Sequence, residues 1–348
     1  MIPGRSRGGP WVLLGNAALL VALFTGSYLI AAAAGSSQGW PPWSGDIVLA
    51  AAGLLFLGLA FLFPLHAGLL NLGIHAQFLA GFVAGSLVAR SADIIPGAQG
   101  LLGLIAGAGG GLLVGVVMAW LKRKLAIHEI LSGLLLAAML VPVARAFGVE
   151  PAAAPALEIQ LGSLARSLSW APGLHLAPSF VMAWGILLLA AGIAAGLLAA
   201  HFLRASVRGF ELRAVGANPL AAVAAGVDVD AMQTLMIAAG GACAGLTGAL
   251  QLWTDPAVAL ERWPLPLGFA GITVAFLGGG YLRGALISAI VLAVWLNTPG
   301  VAAALGSPGW GGAMAFLLVL PAFWNLPRLL PDQGAPRAIW RTRHREPV

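Results

Sequence analysis

Between about Trp11 and Trp324 the chain is one apolar, glycine-rich segment after another, each about long enough to cross a bilayer, with charge confined to the joints. A helix from a soluble core keeps a polar stripe. The segments 11–34, 47–63, 101–121, 130–147, 180–202 and 314–324 show little of one. With 60% hydrophobic and 9% charged residues, water is not the main solvent for such a surface. The expected fold class is therefore an all-α polytopic membrane protein.

Helices are expected near 11–34, 46–63, 72–90, 100–121, 128–147, 179–203, 232–253, 268–281, 284–299 and 312–328, about ten in all. The first follows Arg5 and Arg7 as a signal peptide would, but its apolar run exceeds an ordinary h-region and reads as a retained helix. With the N-terminus in the cytoplasm, the inside joints hold Arg5, Arg7, Lys122, Arg123, Lys124, Arg204, Arg208, Arg213, Arg283, Arg328, Arg337, Arg341, Arg343 and Arg345. The outside joints hold Arg90, Arg145, Arg166 and Arg262. Fourteen against four accounts for all 18 basic residues, a positive-inside bias that places both termini in the cytoplasm. The net charge of +6 thus reports orientation in a membrane and calls for no nucleic acid. One cysteine, Cys243, allows no intrachain disulfide and no thiolate metal cluster.

Two spans differ from the rest. After Pro64 the chain reads LHAGLLNLGIHAQFLAGFVAG, with His66, Asn71, Gly73, His75 and Gln77 among apolar residues. In the second half Pro264 and Pro266 precede LGFAGITVAFLGGG. Backbone that leaves helical geometry at membrane depth persists only when buried in protein or facing a wet cavity, so both are expected to be broken helices beside a solute path. They run in opposite directions, five spans apart, as an inverted repeat requires. Asn71, Gly73, His75 and Gln77 are the candidate polar lining, with Phe269, Thr273 and Phe276 opposite. Elsewhere Gly103, Gly107, Gly111 and Gly115 recur every four positions, and Gly241 with Gly245 repeats the spacing. These stripes are expected to let helix backbones approach closely and need no ligand.

The source of energy is constrained by absences. There is no GxxxxGK[ST] loop, no HExxH and no GxSxG elbow, so the chain is not expected to be an enzyme or to carry a metal or cofactor. Every Asp and Glu lies in or next to a joint, which leaves His66 and His75 as the relay of an alternative, ion-coupled carrier. An externally powered transporter fits better. A membrane scaffold without transport would not need polar kinks at mid-span.

The longest inside joint, 204–232, carries the expected contact with a power source. Asn218 and Pro219 start a short helix over Leu220 to Ala225, which Gly226 stops. Basic residues precede it and acids follow it. Glu211, Arg213, Asn218, Pro219, Ala221, Ala222 and Gly226 are the expected contact residues, the alanines offering a fit to another protein's surface.

At these residues a family resemblance emerges. GFELRAVGANPLAAVAAGVDV closely resembles the cytoplasmic loop of ATP-binding cassette importer permeases of the branched-chain amino acid, simple sugar and nucleoside type. LNLGIHAQFLAG is similar to that family's NIGxEGQ segment, KLAIHEILSGLLL to its GxNEVIxTLML segment and GFAGITVAFLGG to its GFDGIAVALLG segment. The four blocks fall in family order over most of the chain. LAAVAAG also matches the alanine pair and glycine of an EAAxxxG docking motif, with Leu220 in the glutamate's place. His75 and Ala76 replace Glu-Gly, His128 replaces an asparagine and Ala270 replaces an acid. The resemblance is strongest to nucleoside uptake permeases served by a lipoprotein.

The resemblance implies a single transmembrane permease domain over 1–348, with a coupling loop at 204–232 and a basic cytoplasmic tail at 329–348. Its implied partners are a cassette ATPase, a second permease, identical or related, and an extracytoplasmic solute-binding lipoprotein. The implied solute is small and neutral, a nucleoside or a simple sugar, and the implied location is the cytoplasmic membrane.

Overall fold

The computed structural model describes residues 45–89, 98–146, 178–251 and 267–297, and within them all regular structure is helical. The expected spans at 11–34 and 312–328, the tail at 329–348, the 148–177 part of the outside loop and the Pro264–Pro266 entry lie outside the described residues.

In chain order the helices are α1 Gly45–His66, α2 Ile74–Ala89, α3 Ala98–Leu125, α4 Glu129–Ala146 and α5 Pro178–Ala205, followed by the short pair α6 Val207–Ala217 and α7 Pro219–Ala224. Then come α8 Val229–Leu250, a single 3-10 turn Leu267–Phe269 running into α9 Ala270–Leu277, and α10 Leu282–Leu296. Four of these are long and apolar enough to cross a membrane: α1, α3, α5 and α8. Three shorter apolar helices lie in α2, α4 and α10. The chain is a multi-pass membrane protein, and helices make up all the regular structure of its described residues.

The bundle has two central helices. Apolar on every side, α1 buries Leu55, Leu57, Leu59, Ala60 and Phe61 and packs against α5, α8, α9 and α10. The second centre, α8, packs against α1, α2 and α3. Its approach to α3 depends on missing side chains. A Cβ on Gly245 would stand 2.7 Å from Gly111 Cα, and one on Gly115 would stand 2.7 Å from the Ile237 carbonyl oxygen. Three of the four stripe glycines, Gly107, Gly111 and Gly115, make this crossing as the spacing predicts. Gly103 does not: its nearest neighbour, the Gly85 carbonyl oxygen, would be an ordinary 3.8 Å from a Cβ. The outer faces of α3, α4 and α5 expose Ile105, Leu113, Met139, Ile186 and Leu198, the surface expected where lipid replaces water.

Several boundaries moved for local reasons. α1 continues past Pro64 to His66, because the missing amide is compensated from elsewhere. α2 begins at Ile74, since 67–73 is a turn whose backbone bonds reach back to Pro64 and Leu65, with Gly68 at φ 75°. α8 begins at Val229, three residues before the expected Met232, because the Asp228 carboxylate accepts the Ala231 amide at 2.9 Å. α9 ends at Leu277, where Gly279 and Gly280 take φ 66° and 78°.

Candidate functional site

Pro64 supplies no N–H for the Ala60 carbonyl four residues earlier, leaving an acceptor orphaned in an apolar core. The Asn71 side chain fills the gap. Its Nδ2 donates to Ala60 O at 3.1 Å and to Gln77 Oε1 at 2.9 Å, and Gln77 Nε2 in turn points at the Met118 sulfur at 3.6 Å. Asn71 and Gln77 are fully buried. Asn71 Oδ1 keeps no hydrogen-bond partner. Gly73 is wedged against α4, where a Cβ on Gly133 would stand 2.6 Å from Gly73 Cα.

His75 sits differently. Half-buried on the first turn of α2, its ring lies between Phe78, with centroids 6.4 Å apart and planes at 16°, and Phe269, at 6.1 Å and 30°. Its Nδ1 is enclosed without a partner. The backbone of the second broken segment touches it directly, since a Cβ on Gly268 would stand 2.6 Å from His75 Cα. Hence 71–77 and 267–277, nearly 200 positions apart in sequence, meet at His75, Gly268 and Phe269.

The seven expected pathway residues therefore divide. His75 and Phe269 stand together with part of their surface open. Asn71, Gly73 and Gln77 act as ties between α1, α2, α3 and α4 in this conformation. Phe276 packs on Phe61 with ring centroids 5.3 Å apart, and Thr273 is buried. His66, the other histidine considered as a relay, has Nδ1 2.7 Å from the Leu62 carbonyl oxygen of its own helix.

The long joint forms a bent arm. Ser206 separates α5 from α6: its hydroxyl donates to Phe202 O at 2.7 Å and its oxygen accepts the Gly209 amide at 2.9 Å. Asn218 closes α6 and caps α7, accepting the Ala221 amide at 3.1 Å, with Pro219 at the first helical position. Gly226, at φ 82°, ends α7, and the Val227 amide bonds back to Ala222 O at 3.0 Å. Glu211 and Arg213 are half-buried on α6, with the Arg213 guanidinium carbon 6.0 Å from the Phe210 ring centroid.

One expectation about this arm requires correction. Ala222 does not face outward: it is 3% exposed, on the inner side of α7. The outer surface carries Leu220 at 83% and Val223 at 60% exposure, with Ala221 beside them and Phe210 on α6. A second feature not anticipated is the α3–α4 joint. There Lys122 Nζ lies 3.2 Å from the buried Glu129 carboxylate and His128 Nδ1 3.6 Å from it, around a turn in which Ala126 takes φ 52°.

Comparison with known proteins places the chain in a family. The chain is 29% identical over 295 residues to a guanosine ABC transporter permease of Bacillus subtilis (strain 168), covering 81% of each protein. It is 28% identical over 243 residues to a glucose ABC transporter permease of Haloferax volcanii, covering 67% of this chain and 63% of that one. A nucleoside ABC transporter permease of Lactococcus lactis is 26% identical over 252 residues, covering 69% of this chain and 68% of that protein. No solved structure matches. Residues 43–322, more than half of the chain, match the family described as the permease component of the branched-chain amino acid transport system. That match sets aside the ion-coupled carrier built on His66 and His75. By that match the chain belongs to the ABC importer permease family, as a transport subunit that works with an ATPase and a substrate-binding protein rather than as an enzyme.

Proposed function

We propose that this chain carries a nucleoside, or failing that a simple sugar, across the cytoplasmic membrane along a path that passes His75 and Phe269. The carrying observation is the contact of the two broken segments at Gly268, where an imidazole and a phenyl ring stand side by side with polar capacity unspent. A flat heterocycle offers a ring face to stack on Phe269 and polar edges to hydrogen-bond the imidazole of His75. Names of relatives favour the same class: two of the three are nucleoside or guanosine permeases.

The architecture we propose is an inverted repeat. α1 packs on α9 and α10, while α8 packs on α2 and α3; exchanging α1 with α8, α2 with α9 and α3 with α10 turns one set of pairings into the other. Both termini, Lys122 to Lys124 and the α6–α7 arm lie in the cytoplasm on the positive-inside argument. The ATPase engages the outer face of α7, with Asn218, Pro219 and Gly226 fixing the shape of that helix and Glu211 and Arg213 supporting it from α6. The binding component is a lipoprotein, and a second permease, identical or related, completes the path.

Uptake of radiolabelled guanosine and of glucose by cells expressing the full set of subunits tests the solute. Saturable uptake of guanosine, abolished when this chain is deleted, is the expected outcome. Glucose uptake alone would assign the sugar instead.

A further inference from the structure

The turn at 66–73 lies against the α6–α7 arm at one end and leads into the His75 site at the other. Gly216, in the last turn of α6, lies against it backbone to backbone. A Cβ on Gly216 would run into the His66 carbonyl oxygen, and one on Gly68 would stand 3.5 Å from Gly216 Cα. Gln233, buried near the start of α8, donates from Nε2 to Ala67 O at 3.4 Å. Past these contacts the turn leads through Asn71 and Gly73 to His75.

From this geometry we infer that Gly216 on the arm, and Gln233 on the first turns of α8 directly after it, are positioning residues that pass movement of the α6–α7 arm and the start of α8 to the 66–73 turn, and so to His75 relative to Phe269. This rests on the reading of the arm as the ATPase contact. The contact is suited to the task because a side chain between two elements absorbs displacement by changing rotamer, whereas backbone against backbone has nothing to yield. Within the turn Gly68 takes a left-handed φ of 75°, the kind of joint at which a change of φ and ψ is absorbed, and beyond it Asn71 and Gly73 are packed against α1, α2 and α4, so that displacement of this end reaches His75.

The test reads the site itself and needs no knowledge of the solute. In the intact complex with Cys243→Ala, His75→Cys and Phe269→Cys are introduced together, and their cross-linking rate is compared without nucleotide and with ATP trapped by vanadate. ATP is expected to change the rate. Gly216→Ala or Gln233→Leu should shrink that change by about five-fold or more, the lower end of coupling between linked sites, while the ATPase stays bound and hydrolyses ATP. Should Gly216→Ala fail to insert, Gln233→Leu, close in size and missing one hydrogen bond, decides alone. A rate that ATP leaves unchanged, or a change of full size in the variants, overturns the inference. Co-purification of a Leu220→Asp variant separates the two ideas: retention of the ATPase there removes the docking reading, whereas its loss alongside a full-sized response in Gln233→Leu removes only the relay.

Discussion

Asn71 supplies the hydrogen bond that Pro64 withholds: its Nδ2 reaches the Ala60 carbonyl at 3.1 Å, the acceptor that an ordinary residue at 64 would have satisfied. The proline break and the buried amide form one device. It lets α1 end in a turn without leaving a bare carbonyl, and it hands the chain to His75 in a fixed register.

Asn71→Leu should therefore destabilise the protein by about 1–3 kcal/mol, because Ala60 O and Gln77 Oε1 both lose a donor in a dry interior. Thermal unfolding of the detergent-purified chain measures this. A melting temperature equal to wild type would show that Asn71 is not the compensating group.

His75→Ala is expected to weaken apparent solute affinity by about 1–3 kcal/mol, with expression and ATPase binding retained. His75→Gln keeps a donor and an acceptor and should lose less. Uptake measured against solute concentration, normalised to assembled complex, is the readout; unchanged affinity in His75→Ala removes this residue from the path.

Gly111→Val should disrupt the crossing of α3 and α8. A Cβ at Gly111 already meets Gly245 Cα at 2.7 Å, so the helices must separate, at a cost of about 1–3 kcal/mol or more. Gly109→Val on the same helix meets nothing within 4 Å and should be tolerated. Expression and size-exclusion profiles of the pair provide the comparison, and equal behaviour would contradict the packing described.

Leu220→Asp should abolish co-purification with the ATPase while membrane insertion is kept, because Leu220 is outward-facing and contributes little to the fold of this chain. Ala222→Glu should act by another route. It forces a charge into the inner side of α7 and should raise protease sensitivity of the 204–232 segment even without the ATPase.

Orientation is open to cysteine labelling in a Cys243→Ala background. An impermeant reagent added to intact cells should modify Ser163→Cys and spare Ala225→Cys, the latter on an exposed position after α7. The reverse pattern would invert the topology.

Much of the local structure was legible because it depends on local chemistry. Asn218, Pro219 and Gly226 bracket α7 as caps and a left-handed stop do in any protein, and the four-residue glycine spacing announced a close crossing before its partner was known. Which side of α7 faces outward was not legible. All of Leu220, Ala221, Ala222 and Val223 are apolar, so the pattern has no polar edge to mark the inner face, and the choice is made by packing against α6 and α8.

The sequence alone determined that this chain lives in a bilayer and, among the described residues, which stretches form its helices to within a few residues at their ends, since apolar length and proline, glycine or a capping side chain act locally. Only the tertiary structure decided what the polar residues at the first break do. Asn71 and Gln77 are absorbed by Ala60 and Met118, while the His75 ring stands half-buried beside Phe269 with its enclosed Nδ1 unpartnered. The difference is one of position in the packed bundle: a polar atom's partner is chosen by which distant backbone is brought within about 3 Å of it, and no local pattern encodes that distance.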